Sequence, residues 1–110
     1  TRLVPAWEQG VDRILRKAPH LVIVSCGPDI AYPEADCATA LAYLELYASA
    51  RNLGTCWAGY FTGAANAYQP IKDKIALPDG HQCHGAVMLG YPKYSYTRIP
   101  ARKQAGIDWK

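Results

Sequence analysis

From Ala35 to Leu53 nearly every position is apolar or small, with Glu45, Arg51 and Asn52 as the main exceptions. A helix that is apolar on all its sides is a buried one rather than a surface helix with a single greasy stripe. Pro33 suits the first helical position, where a missing N–H costs nothing. Glu34 and Asp36 sit in the first turn, where the helix dipole favours negative charge. Gly54 follows the last periodic residue and is predicted to take the left-handed conformation that closes such a helix. The next run, Thr55 to Tyr60 (TCWAGY), is rich in β-formers and predicts a strand. Its small residues Ala58 and Gly59 mark a place where backbone comes close to a ligand or to another chain.

On either side the pattern is weaker. Trp7, Val11, Ile14 and Leu15 recur at helical spacing and predict a helix over Trp7 to Lys17, weakened by Gly10 and stopped by Pro19. His20 to Cys26 (HLVIVSC) is a continuous β-branched run, the mark of a strand covered on both faces. After Phe61-Thr62-Gly63 a shorter helix reaches Leu77, with Ile71, Ile75 and Leu77 facing the core. Asn66 can cap it, with Gln69 in capping-box position. Alternatively the helix restarts at Pro70. Pro78-Asp79-Gly80 is a turn, and His81 to Gly90 is a strand whose buried part is Ala86 to Leu89. Tyr91-Pro92 ends it. The tail from Lys93 to Lys110 predicts extended segments that pack on a surface, including that of another subunit. Three strands with helices between them point to an α/β or α+β sheet covered by helices.

The chain has 110 residues, half of them hydrophobic, which fits one domain with one core. Its first residue is Thr1 and no signal-peptide pattern precedes the first helix, so it reads as a portion of something longer. The net charge of +3 is mild and local. Lys93, Arg98, Arg102, Lys103 and Lys110 all fall in the tail, with Asp108 the one acid among them. No long basic stripe suits a nucleic acid, and no run suits a membrane span. Cys26, Cys37, Cys56 and Cys83 are widely spaced, with no C-x-x-C pair for zinc or an iron–sulfur cluster. They read as buried free thiols in a reducing, cytoplasmic setting.

Little else carries chemistry. No nucleophile elbow, P-loop or dinucleotide fingerprint is present. His81 and His84 stand three apart at a predicted loop-to-strand entry without carboxylate partners that would complete a metal site, and read as surface or edge polar residues. The strand Thr55 to Tyr60 is either a bare backbone face for a planar cofactor or a plain core strand. The tail cations Arg98, Arg102 and Lys103 are either a phosphate clamp or a solvated basic terminus.

Taken in order, VDRILRKAPHLVIV, ADCATALAYLELYASARNLGTCWAGYF, HGAVMLGYP and the RIPARK tail ending in IDW resemble the nitroreductase family, the flavin mononucleotide (FMN) dependent oxidoreductases. NLGTCWAGY and LGYP are the most specific pieces. The tail is most similar to the branch in which a ferredoxin-like segment precedes the nitroreductase domain. The resemblance implies an α+β, sandwich-like fold, a mixed sheet flanked by helices, with residues 1–110 as the C-terminal portion of one nitroreductase-like domain. It implies FMN at the interface of an intertwined homodimer whose core is the long helix. Cys56, Trp57, Ala58 and Gly59 would pass along the isoalloxazine ring, with the amides near Ala58 and Gly59 approaching flavin N5. Arg102 would contact the FMN phosphate, accompanied by Arg98 and Lys103. The implied activity is ping-pong hydride transfer from NAD(P)H to nitroaromatics, quinones or similar electron-poor acceptors. The family's N-terminal phosphate-binding arginine and serine cluster is missing, so the alternative is a non-catalytic dimerisation or binding remnant of the same fold.

Overall fold

The computed structural model describes residues 2–110. Its elements, in chain order, are α1 (Leu3–Glu8), β1 (His20–Cys26), α2 (Pro33–Ala50), β2 (Gly54–Trp57), α3 (Gly59–Ala67), α4 (Gln69–Ile75) and β3 (Gln82–Gly90). The strands form one sheet in the order β1-β3-β2. Both ladders are antiparallel, so β1 and β2 run the same way on either side of β3 without touching. The α+β architecture is the expected one. The mixed pairing is not seen among these three strands, because the central partner of both edge strands is the last strand of the chain, which enters in the opposite direction.

The first helix, Leu3–Glu8, lies ahead of the expected Trp7 to Lys17 and overlaps it only at Trp7 and Glu8. It stops at Glu8 because Gly10 takes a left-handed conformation (φ +75°) and closes a Schellman motif. The Val11 N–H donates to the Ala6 carbonyl and the Gly10 N–H to the Trp7 carbonyl. Beyond it the Asp12 carboxylate accepts from the backbone N–H groups of Ile14, Leu15 and Lys17, which gives the chain a local alternative to helix.

The long helix α2 lies across one face of the sheet. It buries Cys37, Leu41 and Ala48, a one-sided set at helical spacing, and leaves Tyr43, Leu46 and Tyr47 74%, 71% and 65% exposed. Within this chain it is therefore a surface helix, not a buried one. It ends on Asn52 at φ +59°, not on Gly54, which is the first residue of β2. Asparagine tolerates the left-handed well because its short polar side chain bonds locally. The Leu53 N–H reaches the Ala48 carbonyl and the Asn52 N–H that of Ser49, a second Schellman closure.

The opposite face carries a small cluster of Ala58, Ala86 and Met88, flanked by Leu15, Ala18, Leu21, Ile23 and Phe61. β1 is an edge strand, and none of its residues is fully buried, contrary to a strand covered on both faces. The central strand β3 is the buried one, at Cys83, Gly85, Ala86, Val87 and Met88, with Leu89 only half-buried. Gly85 is required there. A Cβ at that position would lie 2.6 Å from Leu41 Cδ1 of α2. His84 is the extra residue of a bulge, since Val24 pairs with Gly85 and Ser25 with Cys83.

Between β2 and β3 the structure takes the second of the two readings, a helix that restarts at Pro70. A continuous helix would need the Pro70 N–H to reach the Asn66 carbonyl, and proline has none. Tyr68 is extended between α3 and α4, and Pro70 sits in the first turn of the second. Asn66 is not a cap. Its side chain accepts from the Cys83 N–H at 3.0 Å and donates to the Cys83 carbonyl at 2.7 Å, tying α3 to β3. Nothing in α4 is fully buried, and Ile71, Ile75 and Leu77 are half-buried.

Candidate functional site

The strand predicted over Thr55 to Tyr60 is half strand and half helix. β2 stops at Trp57, Ala58 is the N-cap of α3, and Gly59 is its first residue. Strand alternation then separates the four residues expected to share one surface. Cys56 is paired with Met88 and Trp57 with Val87, so their side chains leave opposite faces of the sheet. Cys56 lines a cleft of about 750 Å³ whose other walls include Leu15 to Pro19 and Tyr91 to Tyr96. Trp57 and Gly59 line a second, more open recess of about 700 Å³ with Tyr60, Gly63 and Ala64. Ala58 lines neither. It is 3% exposed and packs on Ala86 and Met88.

The amides divide in the same way. The Ala58 N–H donates to the Ala86 carbonyl at 2.8 Å and is used up. The first intrahelical bond of α3 is Thr62 N–H to the Ala58 carbonyl, at 3.0 Å. The N–H groups of Gly59, Tyr60 and Phe61 precede it and have no helical acceptor. They lie at the positive end of the α3 dipole, and two of the three residues, Gly59 and Tyr60, also line the recess. A Cβ built on Gly59 or Gly63 would meet nothing within 4 Å, so the wall is bare at both points. Its volume lies in the range of ligand pockets, roughly 300–1,000 Å³.

Trp57 is held in place by α2. Its indole Nε1 donates to Glu45 Oε2 at 2.7 Å, and the Thr55 hydroxyl donates to Glu45 Oε1 at 3.2 Å. Glu45, a mere interruption of an apolar run in the sequence, thus bridges α2 to β2 beside the recess. Its one legible signal was a carboxylate inside an otherwise apolar helix, which requires a partner.

The other candidates fall elsewhere. Arg98, Arg102 and Lys103 lie in an exposed tail without regular structure, away from both walls described above. The start of the tail, Lys93 to Tyr96, borders the cleft beside Cys56, and the part that carries these cations does not line it. His84 is not a surface residue. Its side chain is 11% exposed, with Nδ1 3.9 Å from Glu34 Oε1 in the first turn of α2. His81 Nδ1 lies 3.1 Å from the Ser25 hydroxyl. Among the described residues no group of three or more His, Cys, Asp or Glu side chains is gathered for a metal ion. Among the described residues no helix is long and apolar enough to cross a membrane. Of the cysteines, Cys37 and Cys83 are buried and Cys26 half-buried, whereas Cys56 is exposed.

The Nitroreductase family model matches residues 2–91, from the start of α1 past the end of β3. No curated protein matches the chain. Among solved structures, the chain is similar to the crystal structure of a nitroreductase with bound FMN from Bacteroides fragilis NCTC 9343, with 25% sequence identity and a TM-score of 0.72. The similarity covers 93% of this chain but 58% of that one, so this chain spans little more than half of its length. A family match that takes in the entire sheet and every helix around it, on a backbone that follows that nitroreductase through nearly all of this chain, shows that the protein belongs to the nitroreductase family.

Proposed function

We propose that this chain is the C-terminal portion of a nitroreductase-type domain that binds FMN and works as an oxidoreductase, paired with a second copy of itself. The observation that carries the proposal is the recess beside the first turns of α3, walled by Trp57, Gly59, Tyr60 and Gly63, with open space where a Cβ of Gly59 or Gly63 would stand. Bound there, FMN supplies hydride relay between reduced nicotinamide, NADH or NADPH, and an electron-poor acceptor such as a nitroaromatic or quinone. The residues contribute position and polarity. Gly59 and Gly63 leave the wall flat enough for a ring to rest on it. Amides at the α3 N-terminus, Gly59 first, donate to electron-rich ring atoms. Trp57, braced by Glu45, bounds one side. Cys56 and Ala58 act from behind, through the strand and through the Ala58–Ala86 bond that holds the turn. Arg102, with Arg98 and Lys103, is assigned to the phosphate, and the exposed tail is free to carry these cations to a partner's surface.

The exposed row Tyr43, Leu46 and Tyr47 on α2 supports a homodimer through that helix. Titrating the full chain with FMN tests the reading. Quenched flavin fluorescence and a perturbed visible spectrum are expected, followed by bleaching when NADH or NADPH is added. A flavin that stays fully fluorescent at saturating protein overturns it. The second reading is a non-catalytic dimerisation module of the same fold. It is favoured by the 58% coverage, and it predicts a dimer that ignores flavin.

A further inference from the structure

Two thiols that the flavin reading leaves unused meet at one end of the sheet. Cys26 is the last residue of β1, and Cys37 is the first buried residue of α2. The turn Gly27-Pro28-Asp29 brings the chain back so that the two Sγ atoms lie 3.2 Å apart, one thiol donating to the other. Cys83 is a near neighbour, but its thiol is turned to the Gly85 carbonyl at 3.7 Å. Cys56 is exposed and apart from all three.

We propose that Cys26 and Cys37 form a redox-active dithiol that closes to an intramolecular disulfide on exposure to a hydroperoxide. Half-buried Cys26 reacts first. Its thiol gives up a proton and the thiolate attacks one oxygen of hydrogen peroxide; the O–O bond breaks, Cys26 becomes a sulfenic acid, and the departing hydroxide takes up that proton and leaves as the first water. The Cys37 sulfur then attacks the sulfenic sulfur, the S–S bond forms and the S–O bond breaks. The departing hydroxide takes the Cys37 proton and leaves as water. Two thiols give up two electrons and two protons, and the peroxide is reduced to two waters. The order of events follows from the environments. Cys37 is pushed up to about 11, chiefly by burial and then by its hydrogen bond with Cys26, so it stays protonated and waits for an activated sulfur. The sulfurs must close by about 1 Å to reach disulfide length. The closed loop is short, and it pins the first turns of α2 to β1.

The test is a mass map of the intact chain after treatment with hydrogen peroxide. The expected result is a loss of two hydrogens and a fall in denatured thiol titre from the four free cysteines to two, reversed by a dithiol reductant. No Lys or Arg lies between Cys26 and Cys37, whereas cleavage after Glu34 separates them. A cross-link that holds the two Glu34-cleavage products together, and is lost in Cys37→Ala, supports the proposal. In that variant Cys26 should instead accumulate as a trapped sulfenic acid or glutathione adduct. Oxidation that stops at Cys56, pairs Cys83, or leaves Cys26 and Cys37 both reduced in the wild-type chain overturns it, and this wild-type measurement does not depend on any variant folding.

Discussion

Trp57 shows how much one side chain depends on a partner that sequence distance hides. Its indole N–H and the Thr55 hydroxyl both reach Glu45, one turn short of the exposed end of α2. The site is partly wet, so the charge-assisted bond contributes modestly, on the order of 1 kcal/mol. Glu45→Ala should lower the unfolding free energy read from a urea titration by that amount and shift Trp emission, while Glu45→Gln, which keeps an acceptor, should lose less. Equal losses in both variants would mean the bond is not what holds the indole. The close approach of α2 to the sheet has a sharper signature. Gly85→Ala places a methyl 2.6 Å from Leu41 Cδ1 and should cost about 1–3 kcal/mol by overpacking. Leu41→Ala in the same chain should recover part of that cost, and a double-mutant cycle with no coupling would remove the contact as its cause. Glu45 and Gly85 were both visible as residues in the sequence. Neither role was, because each is defined by an atom on another element.

At the scale of elements, the limits of β1 and β3 came out close to their patterns, while β2 stopped at Trp57 and helix ends moved. β1 ends where its apolar run ends, since a β-branched run has no helical alternative to compete with it. α1 failed because periodicity over Trp7 to Lys17 says nothing about the capture of backbone by Asp12. That capture has a pH signature. The Asp12 carboxyl is held below its ordinary value of 3.8, first by the Lys17 N–H and further by those of Leu15 and Ile14. A depressed carboxyl stabilises the fold above its unfolded value, and the stabilisation is lost as pH falls through the folded one. The loop 12–17 should therefore keep its amide shifts down to about pH 4 and lose them below it. Asp12→Asn should remove that step. A loop whose Ile14, Leu15 and Lys17 amide shifts do not move with acid would count against the carboxylate as its organiser.

For the molecule as a whole, the core is thin. Ten hydrophobic residues are fully buried among those described, and half of them are alanine. The radius of gyration is 16.8 Å, against about 13 Å for a compact domain of this size. An exposed row of large apolar side chains on the longest helix and a tail whose residues are exposed throughout both call for a second surface. Sedimentation should give twice the 12.1 kDa chain mass, and Leu46→Glu or Tyr47→Glu should halve it. A wild-type monomer at micromolar concentration would sink the homodimer.

The order of elements, the three strands and the bare glycines after β2 were settled by local chemistry, since period, turn residues and missing Cβ atoms act within a few positions. The NLGTCWAGY and LGYP pieces carried the family for the same reason. Tertiary structure alone decided that α2 is half-exposed, that Cys56 and Trp57 part to opposite faces, and that the free amides begin at Gly59 rather than Ala58. It also set the meeting of Cys26 with Cys37. The parting of Cys56 and Trp57 and the use of the Ala58 amide depend on β3 lying in the middle of the sheet, a choice made by pairing between residues too far apart in the chain for any sequence pattern to record.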